Sequence, residues 1–304
     1  MAGSDKWLVV VGGPTASGKT SLGIDLAQHF STEIISADSR QFYNELSIGV
    51  AKPTSKELAA VPHHFIGHIS VEMPYSAGEY ARDALKKLED LFMNHNVVVM
   101  VGGSGLFINA VIQGFHEDAT DGGQLRKELQ KFYESSGIEA LQERLKKVDP
   151  AYARLVDLQN PHRVMRSIER VELTGKTHEE RTSDAQASRS FNVIEIAIDH
   201  PREILYNRIN NRVDIMMDQG LLAEVKSLNN FQNLNALKSV GYTELFGYLN
   251  SEIGLPEAIE KIKQNSRRYA KRQMTWFRNK TNTTWFEPDR IQQVIPFLER
   301  EMKA

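Results

Sequence analysis

Gly13-Pro14-Thr15-Ala16-Ser17-Gly18-Lys19-Thr20 decides the fold. The stretch fits the phosphate-binding loop G-x-x-x-x-G-K-[ST] without a mismatch. The apolar run Trp7 to Val11 before it reads as a buried strand, and the amphipathic segment Ser21 to Phe30 after it reads as a helix. In a strand–loop–helix unit, successive backbone N–H groups and the positive end of the helix face one anion. Lys19 adds a point charge on the phosphates, and the Thr20 hydroxyl is placed to bind Mg²⁺. A chance match in a glycine-rich turn is the bland alternative, and the flanking strand and helix argue against it. Residues 13–20 are therefore the expected site for a di- or triphosphate.

Outward from the loop, strand and helix alternate through the first third of the chain. Strands are expected at 7–11, 33–37 and 97–101, and helices at 19–30, 77–94 and 105–113. That alternation argues a parallel sheet with ligands at the carboxyl ends of its strands, where Gly13, Asp38 and Gly102-Gly103 fall. After Gly114 the character changes. Residues 115–124 and 182–190 are polar and aperiodic, while 125–147, 151–157 and 161–174 read as charged helices. A strand returns at 193–198. Asp199-His200-Pro201 then starts a helix over 202–217, with the proline in its first turn. The C-terminal third is helical, notably 256–279. The expected fold class is α/β: a P-loop parallel-sheet core with helices on both faces, built from 1–113 and 191–304, and a mostly helical insertion domain over 114–190.

Composition limits the function classes. The 304 residues are 41% hydrophobic and 25% charged, with a net charge of −2. No bulk field draws the chain to nucleic acid or to an anionic membrane, so a polyanion site must be a local basic cluster. The chain has no cysteine, which excludes disulfides, thiolate zinc sites and a cysteine nucleophile and fits a reducing cytoplasm. No apolar stretch approaches the ~20 residues of a membrane helix.

Several residues outside the loop can carry chemistry. Asp38 follows the second strand and should point into the cleft, as a general base, a metal ligand or a substrate hook; a helix cap is the alternative. The third strand ends in Gly102-Gly103-Ser104 with no metal-binding aspartate, and no guanine-reading N-K-x-D stretch occurs. This favours a kinase-like or transferase site over a nucleotide switch. Arg208 and Arg212 share a helix face and suit a pyrophosphate, although solvated charge beside Glu203 and Asp214 is the usual explanation of such pairs. The segment Arg267 to Arg278 sets several cations and three aromatics on one helix. Tyr269, Trp276 and Phe277 are expected in the core, with the cations available to a polyanion. Arg163 and Arg166 form a second, weaker basic pair.

With these residues in place, the chain resembles the tRNA dimethylallyltransferase (tRNA isopentenyltransferase) family almost from end to end. The matching segments are the loop 13–20, Asp38-Ser39-Arg40-Gln41-Phe42-Tyr43, Ile48 to Pro53, Val101 to Leu106, Arg163 to Glu169 with Thr174 to Lys176, Arg212 through Gly220 to Val225, Val240 to Tyr242, and Ala270 to Trp276. The loop alone is shared by many families; its combination with D-S-x-Q-x-Y and A-K-R-Q-x-T-W is specific.

The resemblance implies transfer of a dimethylallyl group from dimethylallyl diphosphate to N6 of adenosine 37 in the anticodon stem-loop of tRNA. Gly13, Pro14, Thr15, Ala16, Ser17, Gly18, Lys19 and Thr20 would then hold the diphosphate, with Mg²⁺ at Thr20. Arg212 would be a second pyrophosphate contact and Asp38 the base. Asp38, Ser39, Arg40, Gln41, Ser104, Arg126, His162, Arg163, Val164, Met165, Arg166, Lys238, Ser239, Val240, Gly241, Tyr242 and Thr243 would touch tRNA. Val50, Ser104, Phe107 and Thr243 depart from the residues common at those places. The insertion is expected to clamp tRNA, and the enzyme to be a cytoplasmic monomer. The residues taken alone leave open a small-molecule kinase, a prenyltransferase acting on free adenylate and a nucleotide-dependent RNA-binding protein.

Overall fold

The computed structural model describes residues 5–114, 123–183, 189–279 and 281–303. The expected loops at 115–124 and 182–190 lie largely outside them. The chain forms two compact units, one of 1–112 with 189–304 and one of 113–188.

The first unit is built on a parallel sheet. Its strands are β1 (Trp7–Gly12), β2 (Ile34–Ser36), β3 (His63–His64), β4 (Val97–Val101), β5 (Asn192–Ile198) and β6 (Thr284–Phe286). Among the described residues they lie in the order β3-β2-β4-β1-β5-β6, every pair parallel. β1 is central, paired with β4 on one side and β5 on the other, with Val9 opposite Val99 and Ile194. Helices cover both faces, so β1 can read as an unbroken apolar run: Leu8 to Val11 are all fully buried. The edge strands β3 and β6, two and three residues long, are too short to leave a periodic signature in the sequence.

The helices are α1 (Lys19–His29), α2 (Ser55–Ala60), α3 (Ala77–Phe92), α4 (Gly105–Gln113), α5 (Gly123–Val148), α6 (Pro150–Ala153), α7 (Pro161–Thr174), α8 (His178–Ser183), α9 (Arg202–Asp218), α10 (Leu221–Ser227), α11 (Tyr242–Leu249), α12 (Leu255–Asn279) and α13 (Val294–Glu301). Local chemistry fixes their starts. α2 and α3 open with full capping boxes, Thr54 with Glu57 and Ser76 with Glu79. The start of α9 differs from expectation. Pro201 is its N-cap and not a first-turn residue, and Asp199 caps nothing there but pairs with Arg278 at 2.9 Å.

The second unit, α5 to α8, closes on its own small core of Leu129, Leu141, Leu145, Ala153, Val164, Met165 and Ile168. α5 is broken at Gly137, whose φ of 77° only glycine adopts at little cost. α7 opens on Asn160, whose side chain accepts from Arg163 N–H, with Pro161 in the first turn.

Candidate active site

The phosphate loop runs from the carboxyl end of β1 into α1, and two cavities meet beside it. Each has a volume of about 610 Å³. Lys19, Asp38, Val50, Ala51, Arg212 and Met216 line both. The first cavity continues along Gly18, Thr20, Gln41, Lys52 and Glu57. The second continues along Arg40, Lys238 to Gly241, Asn265, Tyr269 and Arg272. Asp38 is thus the carboxylate at the junction, with the loop cations on one side and a partly basic opening on the other.

Charge is concentrated at that junction. Lys19 Nζ donates to the Pro14 carbonyl at 3.2 Å. Burial pushes its pKa down to about 8, Asp38 opposes this, and the Arg212 charge adds to it. Burial and the neighbouring Arg208 likewise lower Arg212 from its ordinary value. These groups form an anion site whose cations are only partly compensated by carboxylate.

The arginine pair on α9 is not merely solvated charge: Arg208 is exposed and Arg212 half-buried, yet both reach the phosphate loop. Arg208 Nε donates to the Ala16 carbonyl at 2.8 Å and Arg212 Nη1 to Thr15 Oγ1 at 3.4 Å. Asp214, the expected surface partner, pairs instead with Lys263 at 2.8 Å. The aromatics of α12 also part from expectation. Phe277 is core, but Tyr269 is 37% exposed and lines the second cavity. Burial of its hydroxyl and the charge of Asp38 raise the Tyr269 pKa to about 12.

Two side chains without an expected role organise the site. Gln273, buried on α12, accepts from Thr15 N–H at 2.9 Å and donates to the Gly103 carbonyl at 2.9 Å. A Cβ at Gly103 would collide with that amide, which is why glycine stands there. Glu224 on α10 accepts from the N–H groups of Ser47, Ile48 and Gly49 at 3.1, 2.7 and 3.0 Å, and from the Tyr242 hydroxyl at 2.6 Å. It gathers the segments around residues 48–53, 220–225 and 240–242 into one wall.

The sequence signal for Gln273 was a polar residue on a core stripe, since Ala270, Gln273 and Phe277 are all buried at helical spacing.

The residues expected at tRNA sort into four groups. Asp38, Ser39, Arg40, Lys238, Ser239, Val240, Gly241 and Thr243 line the second cavity together. Gln41 and Ser104 serve the wall itself. Gln41 Nε2 donates to the carbonyls of Val50 and Ala51 at 3.2 and 3.0 Å, and Ser104 Oγ accepts from Ser39 N–H at 3.0 Å. The Val164, Met165 and Tyr242 side chains are buried at 0%, 6% and 0% exposure. As whole residues they present almost no surface to a ligand, a departure from the contact expected of them that follows from their place on the core faces of α7 and α11. In the second unit His162 and Arg163 are exposed, while Arg126 and Arg166 both reach Glu169, at 2.7 and 2.8 Å.

The donor chemistry suits Mg²⁺. The Thr20 hydroxyl and Asp38 carboxylate, both hard oxygen donors, line one cavity. Among the described residues no group of three His, Cys, Asp or Glu could hold a metal. A Mg²⁺ ion there would take its other ligands from substrate phosphates and water, as this ion commonly does.

Comparison with known proteins places the chain. The model of the IPP transferase family matches residues 41–280. The tRNA dimethylallyltransferase of Christiangramia forsetii is 47% identical, over 98% of this chain and 99% of that protein. The one of Flavobacterium johnsoniae is 45% identical, over 98% and 99%. The crystal structure of the tRNA isopentenylpyrophosphate transferase of Bacillus halodurans aligns with a TM-score of 0.73 at 35% identity, over 98% of this chain and 97% of that one. A eukaryotic dimethylallyltransferase acting on tRNA aligns with a TM-score of 0.82 at 25% identity, over 98% and 78%. Sequence and fold agree over nearly the whole length, and the chain belongs to the IPP transferase family, that of the tRNA dimethylallyltransferases.

Proposed function

We propose that this enzyme transfers a dimethylallyl group from dimethylallyl diphosphate to N6 of adenosine 37 in tRNA, releasing pyrophosphate. The observation that carries the reading is Asp38 at the junction of two cavities, between the phosphate loop and an opening lined by Arg40, Lys238 and Arg272. The diphosphate occupies the loop side, with its charge met by the loop amides, Lys19 and Arg212. The apolar residues common to both cavities, Val50, Ala51 and Met216, offer the prenyl group a dry contact. The anticodon loop presents its adenine from the other side; the base is already unpaired, so extruding it costs about a few kcal/mol.

The reaction needs one bond made, one broken and one proton moved. The N6 nitrogen attacks the allylic carbon, the carbon–oxygen bond to pyrophosphate breaks, and an Asp38 carboxylate oxygen takes the N6 proton. N6 is a poor nucleophile because its lone pair is delocalised into the ring, and general-base assistance of this kind is worth about 10²–10⁴-fold. Lys19 and Arg212 stabilise the charge that grows on the leaving group. Mg²⁺ at Thr20, when bound, would neutralise part of that same charge.

The helical unit is assigned to holding tRNA, supported by His162 and Arg163 exposed at the start of α7. Absence of cysteine fits the reducing cytoplasm. No helix among the described residues is long and apolar enough to cross a membrane.

The test is mass spectrometry of nucleosides from unmodified tRNA incubated with the protein, dimethylallyl diphosphate and Mg²⁺. A C5 prenyl gain on the adenosine next to the anticodon is the expected result. No gain on adenosine from folded protein would overturn the reading.

A further inference from the structure

Ala16 is the strained point of the phosphate loop. Its φ of 63° places a residue with a Cβ in the left-handed region, at a cost of about 1–2 kcal/mol. Two things hold it there. Its methyl group packs against Leu205 and Ile209 of α9 and Ala270 of α12. Its carbonyl accepts the 2.8 Å hydrogen bond from Arg208 Nε. One residue on, His200 Nε2 lies 2.8 Å from the Ser17 carbonyl. In a trans peptide the C=O and the following N–H point in opposite directions. A carbonyl drawn outward to α9 therefore aims the next amide inward. Arg208 on the Ala16 carbonyl sets the Ser17 N–H, and His200 on the Ser17 carbonyl sets the Gly18 N–H. Arg208 lines neither cavity at the junction, whereas Arg212, one turn further along, lines both.

We propose that Arg208 is a positioning residue for the diphosphate: it holds the left-handed turn at Ala16 so that the Ser17 amide faces the anion, and it acts through its Nε–H bond and not through its charge. The inference rests on the loop being the diphosphate site. The alternative is that the Arg208 guanidinium, close enough to depress the Arg212 pKa, adds long-range positive charge at the site.

Side-chain geometry separates the two. Gln Nε2 stands the same number of bonds from Cα as Arg Nε, so Arg208→Gln keeps a donor where the bond is made and loses the charge. Arg208→Met keeps the length and loses both. Arg208→Lys keeps the charge on a different geometry. Two measurements are made on each: amide hydrogen exchange across residues 13–19 in the free protein, and KM and kcat with dimethylallyl diphosphate and tRNA.

For Arg208→Met the expected result is faster exchange and a KM for the diphosphate raised about 10- to 100-fold, the range for a lost hydrogen bond from a charged group, with tRNA affinity unchanged. Arg208→Gln is expected to keep its protection and to recover about half of that loss on a logarithmic scale, a KM raised about 3- to 10-fold, because a neutral donor restores about half of such a bond. A Gln variant as impaired as Met, with Lys rescuing, overturns the proposal in favour of charge. A Met variant with faster exchange but parental KM also overturns the proposal, and rules out the charge alternative with it. Melting temperatures taken alongside show whether any variant loses the whole fold, and the Gln variant then carries the decision. If the parent turns over no dimethylallyl diphosphate, the functional reading has failed, and the exchange pattern alone decides what Arg208 does.

Discussion

Arg208 and Arg212 in the first unit, and Arg126 and Arg166 in the second, are both pairs of guanidinium groups that converge on a single target, but the targets differ in charge. The α9 pair meets a carbonyl and a hydroxyl of the phosphate loop, both neutral. The other pair meets the carboxylate of Glu169, itself 1% exposed. A cation such as Arg212, set on a neutral acceptor beside both cavities, leaves a site hungry for an anion; two cations on one buried carboxylate hold each other in place and leave far less charge to offer. Counting arginines in the sequence cannot distinguish the two arrangements. The partner's charge can, and for every one of these arginines but Arg166, three residues from Glu169, it comes from tens to hundreds of positions away.

The largest test of the first arrangement removes the carboxylate that faces it. Asp38→Asn keeps the shape of the junction and is expected to lower single-turnover rate by about 10²–10⁴-fold, with tRNA affinity near the parent's. Asp38 also accepts from the Arg40 N–H at 3.1 Å, so a purely structural role predicts something else: a lower melting temperature and a surviving rate per folded molecule. Next in size is Arg212→Ala. Removing a charge from the pyrophosphate site should cost about 2–5 kcal/mol in kcat/KM, by analogy with hydrogen-bonded charge pairs at interfaces. Parental kinetics would return Arg212 to the role of a loop brace alone.

How much of this was legible depends on the range of the interactions. The phosphate loop, β1 and β4 follow from local pattern, because a run such as Val97 to Val101 has few ways to bury itself. Asp38 followed from its place at a strand end. The arginines of α9 did not: a guanidinium 192 residues from its carbonyl leaves no periodic trace, and nearby Asp214 offered a misleading surface partner. Tyr269 was misjudged because residue type was weighed over position. Ala270, Gln273 and Phe277 fall on the buried stripe of α12, and Tyr269 sits one residue off it, turned by about 100° toward the cavity. Glu224 stood inside a family segment, but its role is defined by the backbone of residues 47–49 and could not be read from its own neighbours.

The second arrangement is tested at Glu169. Glu169→Gln leaves two guanidinium groups without their carboxylate. Breaking a buried pair costs about 3–5 kcal/mol, but these arginines are 59% and 42% exposed and can turn to water. A loss of about 1–3 kcal/mol in the stability of the helical unit is therefore expected. Proteolysis or hydrogen exchange across α5 and α7 would read it. The KM for dimethylallyl diphosphate should not change. If tRNA binding strengthens in this variant, the freed arginines are tRNA contacts that Glu169 holds in check; if it weakens with the fold, they are scaffolding.

The smallest effect is a pH limb that belongs to the first arrangement only. The Lys19 pKa is pushed down to about 8, by burial first, with Arg212 adding to the drop and Asp38 opposing it. Below that pH the ammonium is charged and meets the diphosphate; above it the free enzyme loses the charge. kcat/KM for dimethylallyl diphosphate should therefore fall about tenfold per unit above pH 8, while kcat at saturation stays flat to higher pH because bound diphosphate raises the same pKa. The stability linkage has the opposite sense. Between about pH 8 and the ordinary lysine value the unfolded chain holds a proton that the folded chain has released, so the contribution of Lys19 to stability rises with pH through that window. Arg212→Met removes a like charge and should move the kcat/KM limb upward; Asp38→Asn removes an opposing one and should move it downward. Glu169→Gln should leave it where it is. A limb that ignores all three substitutions would belong to another group, and Lys19 would then stay charged across the working range.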